Sequence, residues 1–281
     1  VRLRVRRPAR PRPPHPARGG VRALGAGLLA AVLLTGCAQS VDPIERLGKK
    51  AAQKVRPREP AYRRWGLAAP LARPPRPPAR TVARPAGPGL PPVVDHVPTH
   101  DRVVFLTYDD GAERDPRFVD MVRELRLPVS MFLTDTVLGP GYGDFARLRA
   151  VGASVQNHTL DHASLRGLPY AGQRAEICGQ QDKLKQRFGI RPRLLRPPYG
   201  TYDHTTLRAA ADCGVAAVVL WRASMRAEGL SYEQGHELRP GDIVLARPED
   251  TGGVTLIDST TRLLRRIQAQ GFTVARLEDY L

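Results

Sequence analysis

Tyr108-Asp109-Asp110-Gly111 sets two carboxylates side by side behind Val103–Thr107, a β-branched and aromatic run with the pattern of a buried strand. Two like charges at a strand end are costly unless something cationic sits there, whether a metal, an arginine or water. An isolated Asp-Asp-Gly is usually a solvated turn, so the weight comes from two further motifs downstream. A second strand-like run, Ser154–Gln156, leads into Asn157-His158-Thr159-Leu160-Asp161-His162. Histidines four apart on a helical turn share one face and can reach a single ion. Two neutral imidazoles with the Asp110 carboxylate make an open site for a catalytic divalent metal. His96 and His100 repeat the spacing, but Pro98 lies between them and both precede the first strand, so they read as linker. A third group, Arg196-Pro197-Pro198-Tyr199-Gly200, also comes after a strand-like run. Alone it reads as a rigid polyproline turn with a surface arginine. Beside Asp109, the arginine would hold that carboxylate ionised and oriented as a base.

The elements that must position these groups alternate. Strands are expected at Val103–Thr107, Val129–Leu133, Ser154–Gln156, Arg193–Leu195, Ala216–Leu220, Ile243–Ala246 and Thr273–Ala275. Helices are expected at Pro116–Leu125, Asp144–Ala150, Ala171–Phe188, His204–Cys213 and Thr255–Gln270, with Gly152, Gly189, Gly214 and Gly271 just past periodic segments. Such alternation implies an α/β fold with a parallel sheet and outer helices, open or closed as a barrel. Active sites in these folds gather at the carboxyl ends of the strands, where all three motifs fall.

The formal net charge is +17, and its placement decides its meaning. Residues 1–36 hold eight arginines and no acids, residues 38–94 hold twelve bases against three acids, and residues 95–281 hold twenty-four of each. A neutral folding portion argues against nucleic acid as the partner; a basic arm suits an anionic lipid or wall surface. Val21–Leu34 is a short apolar stretch behind an arginine-rich start, too short for a comfortable membrane span, and it ends in Leu34-Thr35-Gly36-Cys37. This resembles the lipobox of bacterial lipoproteins, which implies lipidation of Cys37 and anchoring to the outer face of the cell membrane. Val1 fits an alternative start codon, so translation could begin further along. Residues 1–37 are therefore expected to be a lipoprotein-type signal peptide, and residues 38–94 a disordered Pro/Arg/Ala-rich linker. From Pro57 to Pro92 the composition favours extended polyproline geometry, roughly 3.1 Å per residue, reaching on the order of 100 Å. A proline-rich docking segment is the other reading of that stretch. Residues 95–281 form the folded domain.

Thr107-Tyr108-Asp109-Asp110-Gly111, His158-Thr159-Leu160-Asp161-His162 and Arg196-Pro197-Pro198-Tyr199-Gly200 together resemble the polysaccharide deacetylase family with the NodB homology domain, over roughly Arg102 to Leu281. The resemblance implies an irregular (β/α) barrel with fewer than eight strands and metal-dependent removal of acetyl groups from N-acetylated sugars, usually with zinc. It implies that Asp110, His158 and His162 bind the metal, Asp109 is the base and Arg196 steadies it. The Tyr199 backbone N–H would hold the oxyanion, and Leu245 and Trp221 would line the substrate site. The chemistry suits the residue types: amide hydrolysis needs a water made nucleophilic near neutral pH, and zinc lowers its pKa to about 7.

One part of the family pattern is missing. The family has an aspartate soon after the fifth strand that orients a histidine in a Leu-x-His context. Here the first stretch reads Leu220-Trp221-Arg222-Ala223-Ser224-Met225, with no carboxylate before Glu228, and the second reads Leu245-Ala246-Arg247. Arginine stays protonated and cannot act as a titrating acid, though it can stabilise negative charge. Loss of a general acid typically costs about 10²–10⁴ in rate. Glu228, Glu233, His236 and Glu237, in the segment between those stretches, are either substitutes or solvated loop residues. The leading expectation is a monomeric, surface-anchored deacetylase acting on peptidoglycan or another N-acetylated glycan. The alternative is a weak or inactive envelope lipoprotein that binds glycan. A non-haem iron oxygenase shares the two-His-one-carboxylate logic but leaves Asp109 and Arg196 without a role. Export would also allow a disulfide between Cys178 and Cys213, the two cysteines left beside Cys37.

Overall fold

The structure, a computed structural model, describes residues 59–79, 85–110, 115–226, 229–246 and 255–281. The described residues fall within one compact unit, Pro57–Leu281. Cys37, Gly111, Glu228 and Arg247 lie outside the described residues, as does the expected signal segment.

The centre is β2 (Val103–Asp110), buried along its whole length except at Asp110. It pairs in parallel with β3 (Val129–Leu133) on one side and with β9 (Ile243–Ala246) on the other. Parallel pairing continues from β3 through β4 (Ser154–Asn157) and β5 (Leu194–Leu195) to β6 (Ala217–Val219). On the far side β9 pairs with β7 (Ala223–Arg226), giving a wall ordered β6-β5-β4-β3-β2-β9-β7. The two-residue β1 (Val93–Val94) extends the β6 edge, β8 (Gly229–Tyr232) folds back antiparallel on β7, and β10 (Thr273–Val274) pairs with the start of β2. The expected α/β barrel is therefore present, with a hairpin on its rim.

Alternation along β2 sorts the two faces. Leu106 and Tyr108 face the outer layer with α2 (Pro116–Leu125) and α7 (Leu256–Ala269), whereas Phe105 packs inside with Phe132, Leu194, Val219 and Ile243. Two helix starts are capped by side chains: Asp115 caps α2 ahead of Pro116, and Thr255 with Asp258 forms a capping box on α7. Two helices, α3 (Asp135–Leu138) and α4 (Tyr142–Ala150), follow β3, and two more, α5 (Tyr170–Phe188) and α6 (His204–Asp212), are joined by a disulfide between Cys178 and Cys213, whose sulfurs lie 2.04 Å apart. That pairing matches the expectation.

Three expectations are revised. The linker reading does not hold for its later part: a short helix, α1 (Ala61–Arg64), leads into Leu67, which is buried. The segment after it lies along α7, with Arg265 donating to the Gly66 carbonyl and Gln268 to that of Ala69. Trp65 donates its indole N–H to Glu124 at 2.7 Å. Scattered apolar residues in a proline-rich stretch thus find partners on α7 and α2. His96 is not linker either: it forms a bridge with Asp242, and its Nδ1 lies 2.6 Å from Asp95. Arg222 contacts Asp95 at 3.1 Å and Asp242 at 3.8 Å, fastening the seam between the two edges of the wall. Lastly, Ala223–Arg226 and Gly229–Tyr232, where the sequence pattern marks no element, pair antiparallel as β7 and β8.

Candidate active site

All three motifs reach the carboxyl-end rim of the barrel. β2 delivers Asp109 inward and ends on Asp110, whose φ of 71° lies in the left-handed region. β4 delivers His158, and the loop beyond it turns back through Thr159 at φ 71° and His162 at φ 60°. This replaces the helical turn expected there: the two imidazoles meet through left-handed backbone and not through helical spacing. Tyr199, after β5, is also left-handed at φ 60°. Four of the five non-glycine residues with positive φ among the described residues therefore crowd one rim, the kind of local strain that functional sites hold in place.

His158 Nε2 lies 3.3 Å from Asp110 Oδ1, and His162 Nε2 lies 3.0 Å from the same oxygen. Ligand atoms from these three residues lie within 4.8 Å of one another, the one such grouping among the described residues. His96 and His100 are outside it. His158 Nδ1 sits 2.8 Å from the Arg196 carbonyl, an acceptor, so Nδ1 carries a proton and Nε2 is the nitrogen turned to the cluster. Asp110 Oδ1 is buried, and among the described residues the two imidazole nitrogens are its only polar neighbours. Burial pushes the Asp110 carboxyl up, but hydrogen bonding and charge from His158 and His162 outweigh it and hold the group well below the usual carboxylate range. A carboxylate oxygen and two imidazole lone pairs facing one point fit a divalent cation.

Arg196 is fully buried and anchors Asp109. Its Nη1 donates to Asp109 Oδ1 at 2.7 Å and to Thr107 Oγ1 at 2.9 Å. Its Nε and Nη2 donate to the Val219 and Leu220 carbonyls. Thr107 in turn donates to the Val244 carbonyl at 2.9 Å. The guanidinium carbon lies 4.3 Å from the centre of the Phe132 ring and 5.6 Å from that of Trp221. The surface-turn reading of this arginine is excluded: it is the largest fully buried side chain described. Asp109, itself buried, has its other oxygen 4.0 Å from His158 Nε2, so one polar group joins Asp109 to the cluster of Asp110, His158 and His162. Thr107 opens the first motif, but Thr134, which donates to the His158 carbonyl at 2.8 Å, belongs to none. Only its place just past a strand end could mark it.

Tyr199 and Trp221 lie around this group, and Leu245 lies on the neighbouring strand β9. The exposed Tyr199 ring stands edge-on to His162 at 4.8 Å between centroids. Trp221 is half-buried, and a Cβ on the left-handed Gly200 would approach its ring to 3.2 Å. Leu245 is fully buried, level with Thr107 on β2 and with Ser224 on β7. Ser224 is buried too, and its hydroxyl has no hydrogen-bond partner among the described residues. Glu233, His236 and Glu237 are at least partly exposed, and Glu233 N–H donates to the Arg222 carbonyl, at the start of β7 and away from the rim. They are solvated loop residues, not substitutes for the missing acid.

The sequence profile of the polysaccharide deacetylase family matches residues 96–218. An uncharacterized protein of Streptomyces coelicolor is 67% identical over 194 residues, covering 68% of this chain and 78% of its own length. A chitooligosaccharide deacetylase of a Bradyrhizobium species is 28% identical, covering 62% of this chain and 88% of its own length. Among solved structures, a family 4 carbohydrate esterase pseudoenzyme from Bacillus anthracis superposes with a TM-score of 0.56 at 18% identity, covering 68% of this chain and 69% of that one. The chain belongs to the polysaccharide deacetylase family.

Proposed function

We propose that this chain hydrolyses N-acetyl groups of an envelope glycan, with a divalent metal, in the first instance zinc, held by Asp110, His158 and His162. The observation that carries this reading is the convergence of three ligand atoms within 4.8 Å beside a carboxylate fixed by a buried arginine. A bound divalent ion would supply Lewis-acid polarisation of the acetyl carbonyl and acidify a water. Asp109 takes the proton of the attacking water, because its anchored oxygen leaves the second one free toward the ligands. The Tyr199 backbone N–H receives the developing oxyanion, and Leu245 and Trp221 border the acetyl group and sugar. With no second acid in residues 222–226, the proton for the leaving nitrogen comes back from Asp109 or from solvent, so amine departure is slow. Arg247, two residues past Leu245, adds fixed positive charge in place of a titrating acid.

A chain anchored through lipidated Cys37 would act outside the cell membrane as a monomer, on peptidoglycan or a related polymer. Incorporation of labelled lipid that is lost in Cys37→Ala tests the anchor. Acetate release from N-acetylglucosamine oligomers and from peptidoglycan, with and without added zinc, tests the activity. The absence of the acid pair and the unpartnered Ser224 hydroxyl favour a second reading, a glycan-binding lipoprotein of little or no activity. Zinc-dependent acetate release decides for the enzyme; glycan binding without any release decides for the second reading.

A further inference from the structure

The loop from His158 to His162 is held peptide by peptide. His158 N–H donates to the Leu133 carbonyl at 3.1 Å, and the His158 carbonyl accepts from Thr134 Oγ1 at 2.8 Å. Thr159 N–H donates to Asn157 Oδ1 at 2.8 Å, and Asn157 Nδ2 donates onward to the Ile177 carbonyl of α5 at 2.9 Å. Leu160 N–H donates to the Glu176 carbonyl at 3.1 Å, and the Leu160 carbonyl accepts from Thr136 N–H at 3.2 Å. The last tie before His162 is a single side chain: Asp161 N–H donates to Glu176 Oε2 at 3.0 Å. His162 then takes up its left-handed backbone at φ 60°, directly after that tie.

We propose that Glu176 is a positioning residue for this loop, its carboxylate fixing the Asp161 peptide so that His162 faces Asp110 before any ion arrives. Glu176 suits the task because α5 is itself immobilised. Gln180 donates to the Leu133 carbonyl at 2.5 Å, Gln181 to the Pro192 carbonyl at 2.8 Å, and Cys178 is bonded to Cys213 just past α6. Leu160 packs onto the same helix turn, where a Cβ at Gly179 would meet it at 3.2 Å. Residues that orient metal ligands typically shift metal affinity about 10- to 100-fold when removed. The Glu176 contact is partly solvated, so the lower end is expected. The inference rests on the proposed metal site.

The test is Zn²⁺ affinity of the full-length chain by chelator competition, with the melting temperature of the metal-free protein beside it. Glu176→Ala should weaken Zn²⁺ binding about tenfold and leave the metal-free melting temperature within about 2 °C. Glu176→Gln, which keeps an acceptor oxygen but no charge, should stay within about threefold of the parent. Unchanged affinity in Glu176→Ala overturns the inference. So does equal weakening in both variants, which would mean that charge and not position is at work. A fall in the metal-free melting temperature that accounts for the affinity loss would make the role merely structural and also overturn it. Absence of saturable Zn²⁺ binding by the parent chain overturns the metal reading itself, a result distinct from parent binding with an unaltered variant.

Discussion

The two sides of the barrel mouth differ in how fully their polar groups are engaged. On the side of β2, β4 and β5, Asp109, Arg196, Thr107 and His158 are all buried and each has at least one hydrogen bond to a named partner. On the side of β7 and β9, Ser224 is equally buried, but its hydroxyl has no partner among the described residues, and Leu245 beside it is apolar. A buried hydroxyl without a partner costs on the order of 1–3 kcal/mol. The comparison teaches that Asp109, Arg196 and His158 form one interdependent unit, whereas Ser224 and Leu245 stand outside it. The wall between them is continuous, since Thr107 donates to Val244 across the β2–β9 pair.

If the complete side is a working unit, its base should give the largest effect. Asp109→Asn keeps the shape and the contact with Arg196 but cannot accept the water proton. It should lower acetate release by about 10²–10⁴ while Zn²⁺ affinity falls far less. Loss of both in parallel would show that Asp109 serves chiefly as a ligand. Arg196→Met should come next. It leaves the Asp109 carboxylate buried without its counter-charge and two strand-end carbonyls without donors, costing about 3–5 kcal/mol in a denaturant-unfolding experiment. A cost under about 1 kcal/mol would mean that water replaces the guanidinium, and the two sides would then be less different than described.

The support behind the ligand loop gives a smaller effect. Cys178 and Cys213 are 35 positions apart, and replacing both by serine should reduce stability by about 3 kcal/mol through the freer unfolded chain. Because α5 is also held through Gln180 and Gln181, the Zn²⁺ affinity of that variant should change little where the protein remains folded.

Much of this was legible in the sequence, and the exceptions have physical causes. Val129–Leu133, Ile243–Ala246 and Pro116–Leu125 were read to the residue because burial on both strand faces, or a capped amphipathic helix, writes itself into the residue pattern. The motifs led to the correct cluster, but His158 and His162 meet through left-handed turns at Thr159 and His162, which residue type does not announce. The β7–β8 hairpin was missed because β8 is only half-buried along its length and has no apolar alternation to read. The packing of residues 59–79 was missed because single residues such as Leu67 carry it against α7, distant in sequence. Arg196 reads as a surface group only when its motif is taken alone; the three motifs together place it beside Asp109, where it lies, because a buried arginine is paired by long-range contacts, here with Asp109 and Thr107.

The smallest expected effect bears on the incomplete side. Arg247→His alone should restore little activity, because Ser224 offers a hydroxyl where a carboxylate would be needed to orient and charge an imidazole. Ser224→Asp alone adds a buried carboxylate without a histidine, and should cost stability as well as giving no rate. The two together should exceed the product of the single effects, by a coupling of about 0.5–3 kcal/mol in a double-mutant cycle on acetate release. The pH dependence offers an independent check on the same pair. The parent, with arginine at 247, should show no basic-side loss from a deprotonating histidine, and the double variant should acquire one. Strictly additive effects would mean that residues 224 and 247 do not meet across the mouth, and that the amine proton arrives by another route. Coupling without a new basic limb would mean that the pair restores charge balance rather than an acid, so the two readouts separate geometry from chemistry.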